Sequence, residues 1–344
     1  MEDLAGKICV KCPNPAKFTG IDPKKAWYCQ ECFIQMVRSK FRSALSKRKI
    51  YKDAESRETI VVYDGSPSSA FLLHQIDDAL RQVNFKRLMI QPTILVLVTV
   101  TEPSEIAQVT QKIKEIRTFL PDKVPWVIAH VACCLSDKID GFGEDIDICY
   151  GADKIPEYES LLNSCKIPTY REELERILRE KCLERICGYL KIGKVMVSSE
   201  ADELGRLSLA QLCLGRGGSL SNLVSVVDKR DNFLMIRPLR EIACKEIGIV
   251  NHLCGFENSC IQLKDKETGK SSIQKLTDQF INTLEKEKFY STVNTVLSTA
   301  AKIHNSDESK STEKCSLCTI EAGNPCETCS VIFEQCDSPI LLSL

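Results

Sequence analysis

No apolar run in this 344-residue chain reaches the roughly 18 residues that a membrane-crossing helix needs. The longest, Thr93–Val100, has the length of a strand. The first residues carry Glu2 and Asp3 and no apolar core, so they do not read as a secretory signal. Charge of one sign is missing too. The 46 basic side chains meet 47 acidic ones, and a net charge of −1 excludes a uniformly basic nucleic-acid coat while leaving local patches open. Cysteine is what the chain has in excess: 19 residues, an odd number, with no secretion signal. So many thiols in a reducing compartment argue for metal ligands and buried apolar cysteines, which excludes a small disulfide-stapled secreted protein. A hydrophobic share of 43% and a charged share of 27% are ordinary for a globular chain, and the length suits one large domain or two.

Eight cysteines fall into four knuckles. Cys9-x2-Cys12 is followed by Cys29-x2-Cys32, and Cys315-x2-Cys318 by Cys326-x2-Cys329. In each Cys-x2-Cys the two thiolates converge on one face, and two such knuckles complete the tetrahedral four-sulfur shell of a structural zinc site. Turn formers fill both intervals, Pro13-Asn14-Pro15, Gly20 and Asp22-Pro23 in the first and Gly323-Asn324-Pro325 in the second, as a ribbon folded around metal requires. Cys336 could compete as a ligand in the second set. The other cysteines lack this pairing. Cys182, Cys187, Cys213 and Cys254 sit beside Leu or Ile and read as small buried hydrophobes, and Cys133-Cys134 reads as strand-borne.

Behind the first cysteine set, the stretch from Phe33 to Lys52 holds Arg38, Lys40, Arg42, Lys47, Arg48, Lys49 and Lys52 and no acid. Ile34, Val37, Phe41 and Leu45 recur at helical spacing, so one stripe is apolar and the remainder cationic. A helix of this kind can dock on a core and offer its cations to RNA phosphates.

From about residue 53 to 300 the pattern alternates strands and helices. Strands are expected at Thr59–Tyr63, Thr93–Val100, Trp126–Cys133, Val195–Ser198 and Phe233–Ile236, and helices at Ala70–Leu80, Ser104–Phe119, Arg171–Leu190 and Arg206–Leu214. Such alternation implies a parallel sheet covered on both faces. Residues 137–159 are acidic and irregular and read as an inserted loop; residues 301–314 suit a linker.

The turn after the first strand, Asp64-Gly65-Ser66-Pro67-Ser68-Ser69, opens onto a helix. Small residues at a helix N-terminus offer backbone N–H groups and a positive dipole end to an anion. Gly65 lets the backbone approach, Ser66, Ser68 and Ser69 add hydroxyls, and Pro67 suits the first turn. Two other glycine-lysine stretches fail as phosphate loops. Gly188-x4-Gly193-Lys194 is followed by Val195 and an apolar strand, and Gly269-Lys270-Ser271 lacks the first glycine.

These features, in this order, resemble a known family. Leu214-Gly215-Arg216-Gly217-Gly218-Ser219-Leu220 and Ile236-Arg237-Pro238-Leu239-Arg240-Glu241-Ile242 carry the resemblance most specifically, between the two cysteine sets and downstream of the Gly-Ser-Pro-Ser-Ser loop. Nearly the whole chain is similar to the cytoplasmic tRNA 2-thiolation protein 2 family, the companion subunits in the PP-loop ATP-pyrophosphatase group of tRNA sulfur transferases. The resemblance implies a PP-loop, adenine nucleotide alpha hydrolase-like α/β sheet with four-cysteine zinc ribbons at both ends. It divides the chain into an N-terminal ribbon (1–33), a basic helix (34–52), the α/β domain (53–300), a linker (301–314) and a C-terminal ribbon and tail (315–344). It also implies a cytoplasmic role in forming 2-thiouridine at the wobble position of lysine, glutamine and glutamate tRNAs. Sulfur would come from a thiocarboxylated ubiquitin-related modifier, ATP would adenylate the uridine, and the partner would be a catalytic paralogue, cytoplasmic tRNA 2-thiolation protein 1.

The sequence departs from the active members of that group, whose loop reads Ser-Gly-Gly. Asp64 brings a negative charge to the phosphate site, and two like charges about 4 Å apart repel by roughly 4 kcal/mol at a surface-like dielectric, on the order of a thousandfold in affinity. The paired central cysteines of active members would fall near Glu172–Glu175, where this chain has none. Cys182 and Cys187 do not reproduce their spacing, and Cys260 lies near a downstream cysteine position without a partner. The expectation is a non-catalytic subunit in which ATP binding at Gly65, Ser66, Ser68 and Ser69 is weak or absent. Two other readings stay open: a chain that itself adenylates tRNA, and a zinc-ribbon nucleic-acid adaptor with no part in sulfur transfer.

Overall fold

The structure, a computed structural model, describes residues 7–21, 26–51, 56–82, 88–121, 123–136, 138, 141–143, 145–261, 271–287, 289, 291–303, 314–320, 323–336 and 338–343. Lys52, the Asp22-Pro23 turn, Gly269-Lys270 and residues 304–313 of the expected linker lie outside these residues.

Strands β1 (Phe18–Thr19) and β2 (Trp27–Tyr28) pair as a short antiparallel ribbon ahead of helix α1 (Gln30–Lys47). There follow β3 (Glu58–Tyr63), α2 (Pro67–Arg81), β4 (Gln91–Val98), α3 (Pro103–Ile116), β5 (Trp126–His130), β6 (Cys149–Tyr150), α4 (Ile155–Ser164), α5 (Pro168–Leu190), β7 (Lys194–Met196) and α6 (Ala201–Cys213). The remaining elements are α7 (Leu220–Leu223), β8 (Val227–Lys229), β9 (Leu234–Ile236), α8 (Cys244–Cys254), α9 (Ile273–Lys286), α10 (Thr292–Ala300) and α11 (Glu327–Gln335).

Seven strands form one sheet in the order β6-β5-β4-β3-β7-β9-β8, parallel throughout except for β8, which runs antiparallel to β9 at the edge. The period-2 alternation of a strand sends its side chains to two separate cores. Ile60 and Val62 of β3 and Leu95 and Leu97 of β4 meet α5 through Leu174 and Leu178 and α11 through Ile332. Val61, Tyr63, Ile94 and Val96 point the other way, onto Phe41 of α1, Phe71 of α2, Ile113 of α3 and Ile247 of α8. A third cluster gathers α6, α7 and α10 around Leu204, Leu220 and Leu297. The chain leaves β3 toward β4, β5 and β6, then returns to lay β7 on the other flank. The loops after β3 and β7 therefore diverge and open a crevice at the strand carboxyl ends, where ligands of open α/β sheets bind.

The sheet agrees with the parallel α/β architecture that the sequence suggests, with local differences. Trp126–Cys133 is not one strand: β5 stops at His130, whose Nδ1 accepts the Ala132 N–H at 3.0 Å and turns Val131–Leu135 into a 3-10 coil, so Cys133 and Cys134 are not strand-borne. Residues 137–159 are not wholly a loop. Cys149–Tyr150 adds a parallel edge strand opposite Ile128–Ala129, and α4 begins at Ile155. The helix expected at Arg206 starts at Ala201, because Glu200 caps it by accepting the N–H groups of Asp202 and Glu203. The C-terminal cysteine set has, among the described residues, no strand pair like β1–β2; its second knuckle opens a helix.

Candidate metal centres and the loop after the first core strand

Both cysteine sets are built the same way. The first knuckle lies in a loop, and the second opens a helix. Cys29 is the N-cap of α1 and Cys326 the N-cap of α11, with nearly equal backbone angles (φ −70°, ψ 168° and φ −71°, ψ 163°), and Cys32 and Cys329 follow in the first turns. The positive end of each helix thus faces two sulfurs, where negative charge is favoured. Within each set the four Sγ atoms all lie within 4.8 Å of one another. A tetrahedral ion with metal–sulfur bonds of about 2.3 Å spaces its sulfurs by about 3.8 Å. Cys12 stands 3.7 Å from Cys32 and 3.5 Å from Cys29, and Cys318 stands 3.8 Å from Cys326. Both sets therefore fit a four-coordinate metal ion. Cys336 stays out of the second set and bridges Cys165 across an isolated antiparallel contact. Of the cysteines expected to be buried, Cys182 and Cys187 are, Cys254 is half-buried and Cys213 is exposed.

The loop after β3 is occupied from within. Ser66 caps α2, its Oγ accepting the Ser69 N–H at 3.1 Å, and the Ser69 hydroxyl donates to the Ser66 carbonyl at 2.9 Å. The Ser66 N–H donates to Asp64 Oδ1 at 3.2 Å. The Asp64 carboxylate also receives Arg179 of α5 at 2.7 Å. Burial pushes the Asp64 pKa up, but the Arg179 guanidinium and the hydrogen bonds from Ser66 and Ser69 outweigh it and hold the group at about 2. Gly65 takes φ +79°, and a Cβ built there would lie 2.8 Å from Cβ of Ile261, whose N–H donates to the Gly65 carbonyl at 2.9 Å. Residues 256–261 form a flap over this turn. Tyr63 Oη donates to the Ser259 carbonyl at 2.5 Å, His74 Nε2 lies 2.9 Å from Ser259 Oγ, and the His74 ring stacks on Phe256 at 3.8 Å. The flap therefore closes on the glycine that the sequence pattern offers to an anion, while Ser68 stays half-buried at the rim.

Comparison with known proteins decides the family. A 343-residue alignment with cytoplasmic tRNA 2-thiolation protein 2 of Caenorhabditis elegans is 55% identical and covers 99% of this chain and 97% of that protein. The same protein of Caenorhabditis briggsae is 57% identical over 335 residues, 97% of this chain and 95% of its own. The chain belongs to the cytoplasmic tRNA 2-thiolation protein 2 family. A profile of that family matches residues 272–340, the segment that carries α9, α10 and the C-terminal cysteine set. Among solved structures, the U34-tRNA thiolase NcsA from Methanococcus maripaludis with its [4Fe-4S] cluster superposes with a TM-score of 0.59 at 15% identity, covering 96% of each chain. That likeness establishes a shared fold.

Two arginines of the segments that made the family recognisable in the sequence, Arg216 and Arg237, are buried. Arg216, 1% exposed, forms an ion pair with buried Glu173 of α5 and reaches Cys329 Sγ at 3.1 Å. Gly215 beside it takes φ +78°, which turns the chain inward, and Gly217 opens the next turn. Arg237 is buried against Asp228 at 3.2 Å, Pro238 follows it at the strand end, and Arg240 donates to the Val224 carbonyl. Arg216 and Arg237 are thus spent on interior contacts of this chain, and Arg240 is half-buried.

The basic helix is less cationic than its sequence implies. Lys40 pairs with buried Glu246 at 2.6 Å, Arg42 with Asp78 at 2.7 Å, and Arg38 lies 3.9 Å from the same Asp78. Acids on α8 and α2 neutralise them because α1 packs beside α8 and its side chains reach Asp78 of α2. Lys47, Arg48 and Lys49 are exposed at its end. They lie close to Tyr51, which bonds Thr59 at the amino end of β3, whereas Gly65 follows its carboxyl end about 20 Å away along a six-residue strand. Sequence reasoning did not single out Arg179, Glu173 or Ile261. Glu173, Arg176 and Glu180 do recur at helical spacing, but nothing in the pattern says which arginine meets Asp64.

Proposed function

We propose that this chain is the non-catalytic subunit of a two-protein cytoplasmic thiolase that makes 2-thiouridine at the wobble position, U34, of tRNA-Lys, tRNA-Glu and tRNA-Gln. Its partner is the catalytic paralogue, cytoplasmic tRNA 2-thiolation protein 1, and sulfur arrives from a thiocarboxylated ubiquitin-related modifier. Membership in the family and the fold shared with a U34-tRNA thiolase support the reaction class. The observation that carries the non-catalytic assignment is the loop at Asp64–Ser69. The Ser66 and Ser69 N–H groups and the Ser69 hydroxyl are spent within the loop, Arg179 is paired with Asp64, and Ile261 covers Gly65. ATP then belongs to the complex through the partner.

The thiols support the same reading. Sulfur handling needs accessible, ionisable cysteines. The start of α5, Pro168 to Glu175, holds none. Cys182 is raised well above an ordinary thiol by its hydrogen bond with Cys133 and by burial, burial lifts Cys187 to about 12, and burial also raises Cys260. Among the described residues only the two terminal cysteine sets are grouped to hold a metal. We assign zinc to both, as structural ions whose binding supplies folding energy to the segments 1–33 and 315–344 around the α/β domain. For tRNA, exposed Lys47, Arg48 and Lys49 are the phosphate contacts, and Arg38, Lys40 and Arg42 support them from within ion pairs.

The test is thiolation of tRNA, with pyrophosphate release from ATP, by this chain, by its partner and by the two together. Activity is expected only when the partner is present. Pyrophosphate release by this chain with ATP and tRNA alone would overturn the assignment. In cells, deletion of the gene is expected to abolish wobble 2-thiouridine as read by mass spectrometry of bulk tRNA; an unchanged level would leave an adaptor outside sulfur transfer.

A further inference from the structure

The two cysteine sets differ in what surrounds them. Four thiolates around a divalent ion leave a charge of −2, which a protein interior tolerates only if it is paired or hydrogen-bonded. At the N-terminal set Cys12 and Cys32 remain partly exposed, so water can solvate that charge. At the C-terminal set all four cysteines are buried, Cys329 completely, and they sit in the same apolar core as Leu95, Leu97 and Leu178. Solvation there has to come from the protein.

Arg216 is the group in place to supply it. Its Nη2 lies 3.1 Å from Cys329 Sγ, and its Nη1 is held by the Glu173 carboxylate. Glu173 is itself fixed by Arg176 at 2.7 Å and by Gln211 Nε2 at 2.7 Å. Arg216 Nη1 also reaches Gln211 Oε1 at 3.4 Å, Nε is buried without a hydrogen-bond partner, and the contact of Nη2 is with the cysteine set. The helix that carries Cys329 is tied to the same loop, Thr328 Oγ1 donating to the Leu214 carbonyl at 2.6 Å.

We propose that Arg216 is the outer-shell counter-ion of the C-terminal metal centre, positioned by Glu173 to donate to the Cys329 thiolate. The inference rests on the reading of that cysteine set as a metal site. It gives the Gly-Arg-Gly segment a physical purpose, since Gly215, at φ +78°, turns the chain just before the arginine that reaches a sulfur in the core. Glu173 on α5, the N-terminal helix dipole of α11 and the metal then form one connected unit.

The experiment is chelator competition on the full chain loaded with zinc, which resolves two sites. Cys315→Ser with Cys318→Ser assigns the C-terminal phase, and Cys9→Ser with Cys12→Ser the other. Arg216→Gln is expected to weaken the C-terminal phase about 10- to 100-fold, the range for loss of an outer-shell partner. The N-terminal phase stays unchanged. Arg216→Lys, which keeps the cation and loses the fork, falls between. If either folded variant binds zinc within twofold of the parent at the C-terminal phase, the assignment of Arg216 is wrong. If the parent chain binds no ion that depends on Cys315 and Cys318, the metal site itself is wrong and the inference falls with it. Should neither variant fold, the unmodified chain decides when loaded with cadmium-113. A scalar coupling between the metal and a guanidinium proton is expected across the N–H···S bond, and its absence overturns the proposal.

Discussion

Asp64 and Arg179 meet at 2.7 Å across the crevice outside β3, and the carboxylate titrates near 2 instead of its ordinary 3.8. A folded-state pKa below the unfolded one contributes stability that is fully present above about pH 4 and is lost as the pH falls toward 2. Arg179 is about two-fifths exposed, so solvent discounts the pair to roughly 1 kcal/mol. Asp64→Asn should cost that much at pH 7 in urea unfolding and well under half of it at pH 2; an equal cost at both would place the effect in packing and not in charge. Next door, Gly65 combines φ +79° with a neighbour at 2.8 Å. Gly65→Ala should cost about 2–3 kcal/mol, part left-handed backbone strain and part displacement of Ile261, while Ser68→Ala at the rim changes stability by less than about 0.5 kcal/mol. Equal effects of the two would show that the flap does not press on the glycine.

The flap over that turn is a small element, residues 256–261, held by Tyr63 and His74. Burial and the nearby Arg38 lower the His74 pKa from 6.5 to about 4. The neutral ring is the folded form, so stability is level above about pH 6.5 and falls as the pH drops from there toward 4, by about 1–2 kcal/mol in all. His74→Gln should flatten that slope in denaturant titrations at pH 7, 5.5 and 4; an unaltered slope would assign the acid sensitivity elsewhere. Elements of this length are also where sequence reading fails. β3 and β4 were legible as unbroken apolar runs of strand length, buried at every residue after the first, and α2 as a longer apolar-rich run opened by a turn. β6 and β8 have two and three residues, too few for a period, and gain their pairing only from β5 and β9. The cysteine knuckles could be read because the ligand spacing is local. The fate of Lys40 and Arg42 could not, since Glu246 and Asp78 are brought to them by packing of α8 and α2.

On the scale of the molecule, the chain is closed at two poles by similar four-sulfur sets with unequal connections to the sheet. The N-terminal set sits on the first turn of α1, and the ribbon packs on the core through Phe18 and Tyr28 against Phe33, at 5.4 and 6.5 Å. Below that turn, Val37, Phe41 and Leu45 belong to the core cluster on that face of the sheet. The C-terminal set is continuous with the core that covers the other face, where Cys318, Cys329 and Ile332 belong to the cluster of Leu95 and Leu178. Metal loss should therefore act locally at one pole and globally at the other. Cys9→Ser with Cys12→Ser should release about one zinc per chain and expose the ribbon to proteolysis near Trp27 while the main melting transition moves little. Cys315→Ser with Cys318→Ser should release the other zinc and lower global stability by at least about 4 kcal/mol, because it leaves unpaired thiols and Arg216 in a core that no longer has an ion to enclose. Calorimetry with metal analysis of both variants checks the asymmetry. Equal shifts of the main transition would mean that the two poles carry the sheet alike, and the burial of the C-terminal set would then have no energetic consequence.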